Sequence, residues 1–191
     1  MCGRYTLRNS KAVKDKHLLN IDVSYNVAPS HQVLTLTSEP ALMRWSYNPT
    51  WAKTPMNLIN ARSETLRVKP SFKMARRCLI VADGWYEWLR TDNKKQPYFF
   101  HMNDSLFNFA GIYTEYNGEM GCAIITKDAI QKLSTVHHRM PIIIADDEAD
   151  SWLSGEDVFD SKSSEDIEFY PVSTMVNSPR NNNIDCVKPS L

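Results

Sequence analysis

Read for alternation and for helical spacing, the chain is mostly strand. ALMRWSY (41–47) reads as a strand, and NPT then turns the chain. RCLIVADGWYEWLR (77–90) reads as two strands, or one bent strand, interrupted near Asp83-Gly84. QPYFFHM (96–102) resumes after the polar turn TDNKK, so 85–102 forms a hairpin. LFNFAGIYTEY and EMGCAIIT make a second strand pair around Asn117-Gly118, a dipeptide suited to a tight hairpin turn. EDIEFYPVS (165–173) gives a late strand. Helical signals are short: SKAVKDKHLL (10–19) with Ser10 as N-cap, a turn within 71–77, and DDEADSWL (146–153), whose acids suit a helix N-terminus. The expected fold is a strand-dominated α+β single domain over 1–191. Its polar tail (175–191) is a loop that either covers something or frays.

The chain has 191 residues, which fits one domain with a real core. No stretch approaches the roughly 20 apolar residues of a membrane span, and MCGRYTLRNSKAVKD lacks the apolar core of a signal peptide. The expected location is the cytoplasm. Net charge is zero. That zero hides an asymmetry: residues 1–100 hold 16 Lys/Arg against 7 Asp/Glu, and residues 101–191 hold 6 against 15. Either the basic half meets phosphates or the two halves pair over the surface. The four cysteines, Cys2, Cys78, Cys122 and Cys186, show no metal-binding spacing. No metal or cofactor is expected. Cys78 and Cys122 sit in apolar runs as small core residues, and Cys186 reads as incidental.

Cys2 differs by position. Its small side chain should permit removal of Met1, leaving an amine and a thiol on adjacent carbons. An α-amine with a pKa near ~8 is partly neutral at pH 7. It attacks an aldehyde to give a Schiff base, and the thiolate then closes a five-membered thiazolidine. No internal cysteine can do this, because its nitrogen is an amide. Glu87, among the aromatics of ADGWYEW, is either a carboxyl with a raised pKa that moves protons or a solvent-facing strand residue. His137 and His138 in VHHRMP have the titration range of a proton shuttle, and Asn60 in LINARSET could orient a reacting group. Arg4, Arg62 and Arg139 suit phosphate forks. Trp51 suits either base stacking or core packing.

CGRY at the start, then YNVAPS, LINARSET, ADGWYEW and HHRMP, follow one another in the order of a known family. The chain resembles the SRAP proteins, the SOS-response-associated peptidases or abasic-site processing proteins, from MCGRY through PVSTMVNSPRN. The resemblance implies a pseudo-barrel of mixed sheets. It also implies that Cys2 forms a thiazolidine with the opened deoxyribose of an abasic site in single-stranded DNA. Asn60, Glu87 and His137, rather than His138, would complete the catalytic set. Arg4, Pro29, Trp51, Arg62, Thr126 and Arg139 would line the DNA path. Two departures stand out: a short segment between PSF and RRC, which unsettles the basic contacts of 67–77, and Ser46 where glycine is expected.

The expected protein is thus a monomer that shields abasic sites, located in the cytoplasm and on the nucleoid when bound to DNA, with lyase and Met1-removing autopeptidase activity as accessory chemistry. Two other classes compete. Cys2, His137 and Asn60 can be read as a thiol-peptidase set, although no papain-like or caspase-like motif surrounds the cysteine. A non-catalytic single-strand binding module would use Trp51 and the arginines alone.

Overall fold

A computed structural model describes residues 2–92, 94–159 and 166–190. In chain order the first half holds β1 (Tyr5–Leu7), α1 (Ser10–His17), β2 (Ser24–Val27), β3 (Gln32–Leu36), β4 (Pro40–Arg44), β5 (Asn60–Arg62), β6 (Arg76–Ala82) and β7 (Gly84–Thr91). The second half holds β8 (Lys94–His101), β9 (Phe107–Tyr116), β10 (Glu119–Asp128), α2 (Gln131–Ser134), β11 (Arg139–Pro141), β12 (Ile143–Ile144), α3 (Ala149–Ser154) and β13 (Glu168–Pro171).

One sheet runs β13-β8-β7-β1-β2, every pair antiparallel. The other follows β11-β10-β4-β3-β6-β9-β12. Because β9 also pairs with β10, the strands β10, β4, β3, β6 and β9 close on themselves. This is the pseudo-barrel of mixed sheets in a strand-dominated α+β fold, and closure removes the exposed edges an open sheet would present. At the β4–β10 crossing the backbones nearly touch: a Cβ on Gly121 would lie 2.3 Å from the Ser46 carbonyl oxygen, so only glycine fits. Ser46 itself is buried, and its hydroxyl donates to Asn57 Oδ1 at 2.9 Å.

Both sheets face one core. Tyr5, Trp85 and Phe100 from the first meet Ile80, Phe109 and Ile124 from the second. Trp85 stacks on Phe100 with ring centroids 5.0 Å apart and meets Phe109 edge-on at 6.1 Å. Such rings dominate core energetics, and each pair adds about 0.5–1.5 kcal/mol beyond area burial.

The 77–90 run is two strands in two different sheets, parted at Asp83. Asp83 is fully buried and accepts from Thr6 Oγ1 at 2.6 Å, Asn9 N at 2.8 Å, Arg8 Nε at 3.1 Å and the Arg8 amide. A buried carboxylate is tolerable only with partners of this kind. It pins the exit of β1 to the start of α1. The N-cap of α1 is Asn9, not Ser10: its side chain accepts from Ala12 N at 3.0 Å. Asx side chains reach that amide as well as Ser does.

Strand 41–47 ends early at Arg44, and Tyr47 makes an isolated bridge to Leu58. The turn within 71–77 is a single 3-10 turn, Pro70–Phe72. The helix at 146–153 begins as a 3-10 turn, Asp146–Glu148, and continues as α3. The start of the 165–173 strand includes residue 165, which lies outside the described residues; the observed strand is β13. The tail does not fray. Val176, Cys186 and Val187 are buried with Tyr86, Phe99 and Val172 in a separate apolar cluster, so Cys186 is a core residue rather than an incidental one. No helix among the described residues is long and apolar enough to cross a membrane.

Candidate functional site

The first residues of the chain run along β7. Tyr5 pairs with Trp85 and Thr6 with Gly84, and the Tyr86 amide donates to the Arg4 carbonyl at 3.0 Å. This register brings the start of the chain beside Glu87. Cys2 is fully buried; its Sγ donates to the Arg4 carbonyl at 3.7 Å. Burial pushes the Cys2 thiol well above its ordinary pKa, and the nearby Glu87 charge pushes it further.

Glu87 is 3% exposed. It lies on the Trp85 face of β7, which is the core face, so alternation holds and the solvent-facing alternative for Glu87 drops out. Burial pushes its carboxyl up to about 7, with the positive amino terminus pulling the other way. A carboxyl near 7 can both give and take a proton at neutral pH.

Asn60 opens β5, a short strand held parallel to β10 by the pairing Asn60↔Ile124. Its Nδ2 donates to the Cys2 carbonyl at 2.8 Å. His137 lies in the turn between α2 and β11. Its Nδ1 accepts from the Arg139 amide at 3.0 Å and has the Arg139 carbonyl at 3.1 Å. The ring can therefore accept when neutral and donate when protonated. It stacks on His138 with centroids 4.6 Å apart. His137 titrates below its ordinary value because of burial, with the charges of the amino terminus, His138 and Arg90 adding to the effect. Asn60 touches Cys2 directly, and the Glu87 charge acts on the Cys2 thiol, so these three lie together; His137 is held by the Arg139 backbone.

The six residues expected to meet DNA differ in exposure. Trp51 is 57% exposed and donates from Nε1 to the Pro70 carbonyl at 3.3 Å. Arg62, at the end of β5, is exposed, and its guanidinium is unpaired among the described residues. Pro29 is half-buried in the turn after β2. The other three belong to internal networks. Arg4 donates to Asn26 Oδ1 and the Val176 carbonyl, both at 2.9 Å, and to the Asn177 carbonyl at 3.2 Å, which ties the tail down. Arg139 is 4% exposed and is held by Glu64, Asp128 and the Thr126 carbonyl. Thr126 is fully buried beneath it.

Sequence reasoning passed over Asn26, Glu64 and Asp128, which organise these networks. Glu64 stood in the LINARSET motif; Asn26 stood in YNVAPS. In 67–77 the basic residues are largely spoken for. Arg67 and Arg77 both pair with Asp157, at 2.7 and 2.6 Å, and Arg76 lies over the Tyr113 ring at 4.6 Å. With Arg8–Asp104 and Arg44–Glu119, these pairs show the basic and acidic halves partly neutralising each other. Among the described residues no group of three or more His, Cys, Asp and Glu could hold a metal ion.

The sequence profile of the SOS response associated peptidase (SRAP) family matches residues 1–179. The abasic site processing protein YoqW of Bacillus subtilis (strain 168) is 36% identical over 223 aligned positions, which cover 98% of this chain and 99% of that one. The abasic site processing protein HMCES of Gallus gallus is 34% identical, over 77% of this chain and 56% of that longer protein. A crystal structure of a Bacteroides thetaiotaomicron protein superposes with a TM-score of 0.78 at 25% identity, with both chains covered in full. With the profile match across nearly its whole length and relatives of this similarity, the chain belongs to the SRAP family.

Proposed function

We propose that this protein processes abasic sites in DNA, and that it does so by bonding Cys2 covalently to the lesion in single-stranded DNA. The observation that carries the reading is the Asn60–Cys2 contact beside a buried carboxyl tuned to about 7. The relatives named abasic site processing proteins support the substrate.

Removal of Met1 turns the Cys2 nitrogen from an amide into an amine. In the chain that retains Met1, Cys2 is unreactive on two counts: its nitrogen is an amide and its thiol is buried. After removal, Asn60 holds the Cys2 carbonyl and so fixes where the amine points. The neutral amine adds to the C1′ aldehyde of the opened sugar, and loss of water gives the imine. Glu87 supplies the proton to the departing hydroxyl and recovers one from nitrogen. The Cys2 sulfur then adds to the imine carbon while its proton passes to nitrogen, which closes the thiazolidine. His137, with acceptor and donor backbone groups at Nδ1, moves protons at the sugar oxygen. Trp51 and Arg62 present the free aromatic face and guanidinium for the strand. The protein acts as a monomer in the cytoplasm, on the nucleoid when DNA-bound.

The test mixes Met1-processed protein with a single-stranded oligonucleotide carrying one abasic site, resolved on a denaturing gel. A heat-stable shifted band that requires both the lesion and Cys2, absent in Cys2→Ala, is expected. Absence of the band, with a free N-terminal cysteine verified by mass spectrometry, overturns the covalent reading. Equal binding to intact and abasic strands would then favour a plain binding module.

A further inference from the structure

Beyond Glu87, β7 runs out of the core into a hairpin tip rich in positive charge. Arg90, Lys94 and Lys95 are exposed, and among the described residues none of them makes an ion pair or hydrogen bond through its side chain. Elsewhere in the basic half, Arg8, Lys16, Arg44, Arg67 and Arg77 are each matched with a carboxylate. The tip instead sets like charges together: Arg90 lies directly opposite Lys95 in the antiparallel ladder. Like charges in that position destabilise a hairpin. Lys95 also sits 4.9 Å above the Trp88 ring, so that ring and the two cations share one face. With Asp92 as the one carboxylate of the tip against Arg90, Lys94 and Lys95, the tip keeps an excess of positive charge that an external anion would stabilise.

Its place in the fold says which anion. Arg90 lies three residue steps along the strand from Glu87, roughly 10 Å at ~3.3 Å per residue. The positive field of Arg90 already reaches His137. The tip thus lies off one end of the strand that carries Glu87. We propose that the β7–β8 tip, through Arg90, Lys94 and Lys95, grips the backbone phosphates of the lesion-bearing strand on one side of the abasic site only. This inference rests on the abasic-site reading above. Phosphates relieve the Arg90–Lys95 repulsion, and binding releases their counterions.

The experiment uses two fluorescent single-stranded oligonucleotides with a tetrahydrofuran abasic analogue, which has no aldehyde and binds reversibly. One extends only 5′ of the lesion and the other only 3′. Anisotropy is measured over a range of salt for the wild-type protein and for the triple variant Arg90→Gln, Lys94→Gln, Lys95→Gln. The expected result is a roughly five- to tenfold loss of affinity for one of the two oligonucleotides, with its log–log salt slope shallower by about 2, since each single-strand contact contributes ~0.7. Binding of the other oligonucleotide is unchanged. Unchanged binding of both, or equal loss on both, overturns the proposal. Crosslinking of the wild-type protein to a true abasic strand is run in parallel. If the wild-type protein crosslinks while the variant binds normally, the hairpin inference alone fails. If the wild-type protein neither binds nor crosslinks, the function itself falls and the grip with it. Arg90→Gln alone should melt at or above the wild-type temperature, which separates lost binding from lost folding.

Discussion

Arg139 and Glu64 form a two-pronged ion pair: Arg139 Nη2 donates to Glu64 Oε2 at 2.9 Å, and Nη1 donates to Oε1. Glu64 lies four residues after Asn60, and the Arg139 amide donates to His137 Nδ1. One arginine therefore fixes both flanks of the Cys2 site, its side chain holding the segment after β5 and its backbone orienting the imidazole.

Glu64→Gln should cost about 1–2 kcal/mol. That is below the 3–5 of a fully buried broken pair, because Glu64 is half-exposed and Asp128 still faces the guanidinium. The ion pair holds the Glu64 carboxyl down to about 2. Its contribution is therefore complete above the ordinary carboxyl value of 4.5 and is lost as pH falls through about 2. Urea melts of wild type and variant should differ at pH 6 and converge toward pH 2. A constant difference across that window would remove the ion pair as its cause.

Glu87 shifts the opposite way. With a folded value about 7 against an ordinary 4.5, the folded state holds the extra proton between those values. Stability should fall as pH rises from 4.5 to 7, by roughly 3 kcal/mol at ~1.4 kcal/mol per unit. Glu87→Gln, which cannot ionise, should flatten that fall. The same variant should slow crosslink formation or release while DNA affinity holds. Unchanged rates would take Glu87 out of the mechanism.

Asn26 is buried, and its Nδ2 donates to the carbonyls of Val176, Ser178 and Asn181 at 3.2, 3.0 and 2.8 Å. Asn26→Ala leaves those carbonyls without this donor and should cost about 2–3 kcal/mol. Limited proteolysis should then cut within 177–183 before the barrel. Resistance equal to wild type would show that the apolar contacts of Val176 and Val187 alone hold the tail.

Trp51→Ala should change stability by less than about 0.5 kcal/mol, as an exposed site away from the core. Single-strand affinity should drop by about 1–3 kcal/mol, the value of one base stacked on an aromatic ring. Anisotropy with an intact oligonucleotide measures this directly. A large loss of melting temperature would instead mark Trp51 as a structural prop over Pro70.

Alternation and turn chemistry alone determined the hairpins β7–β8 and β9–β10, since both are read from neighbouring residues: apolar periodicity on one side, TDNKK or Asn117-Gly118 between. The motif CGRY likewise singled out Cys2 among the four cysteines. The motif order identified the family. Tertiary structure decided the rest, because it depends on partners far apart in sequence. The barrel closes only when β10 pairs with both β9 and β4. Arg4, whose guanidinium suits a phosphate fork, is held by carbonyls some 170 residues away. Arg139 is taken by Glu64, which neither periodicity nor charge pattern places beside it. Glu87 obeys strand alternation, but whether its face meets solvent or core was set by the second sheet closing over β7. A sequence fixes which side chains can ionise or pair; which of them are still free once the chain has folded is a matter of three-dimensional neighbours.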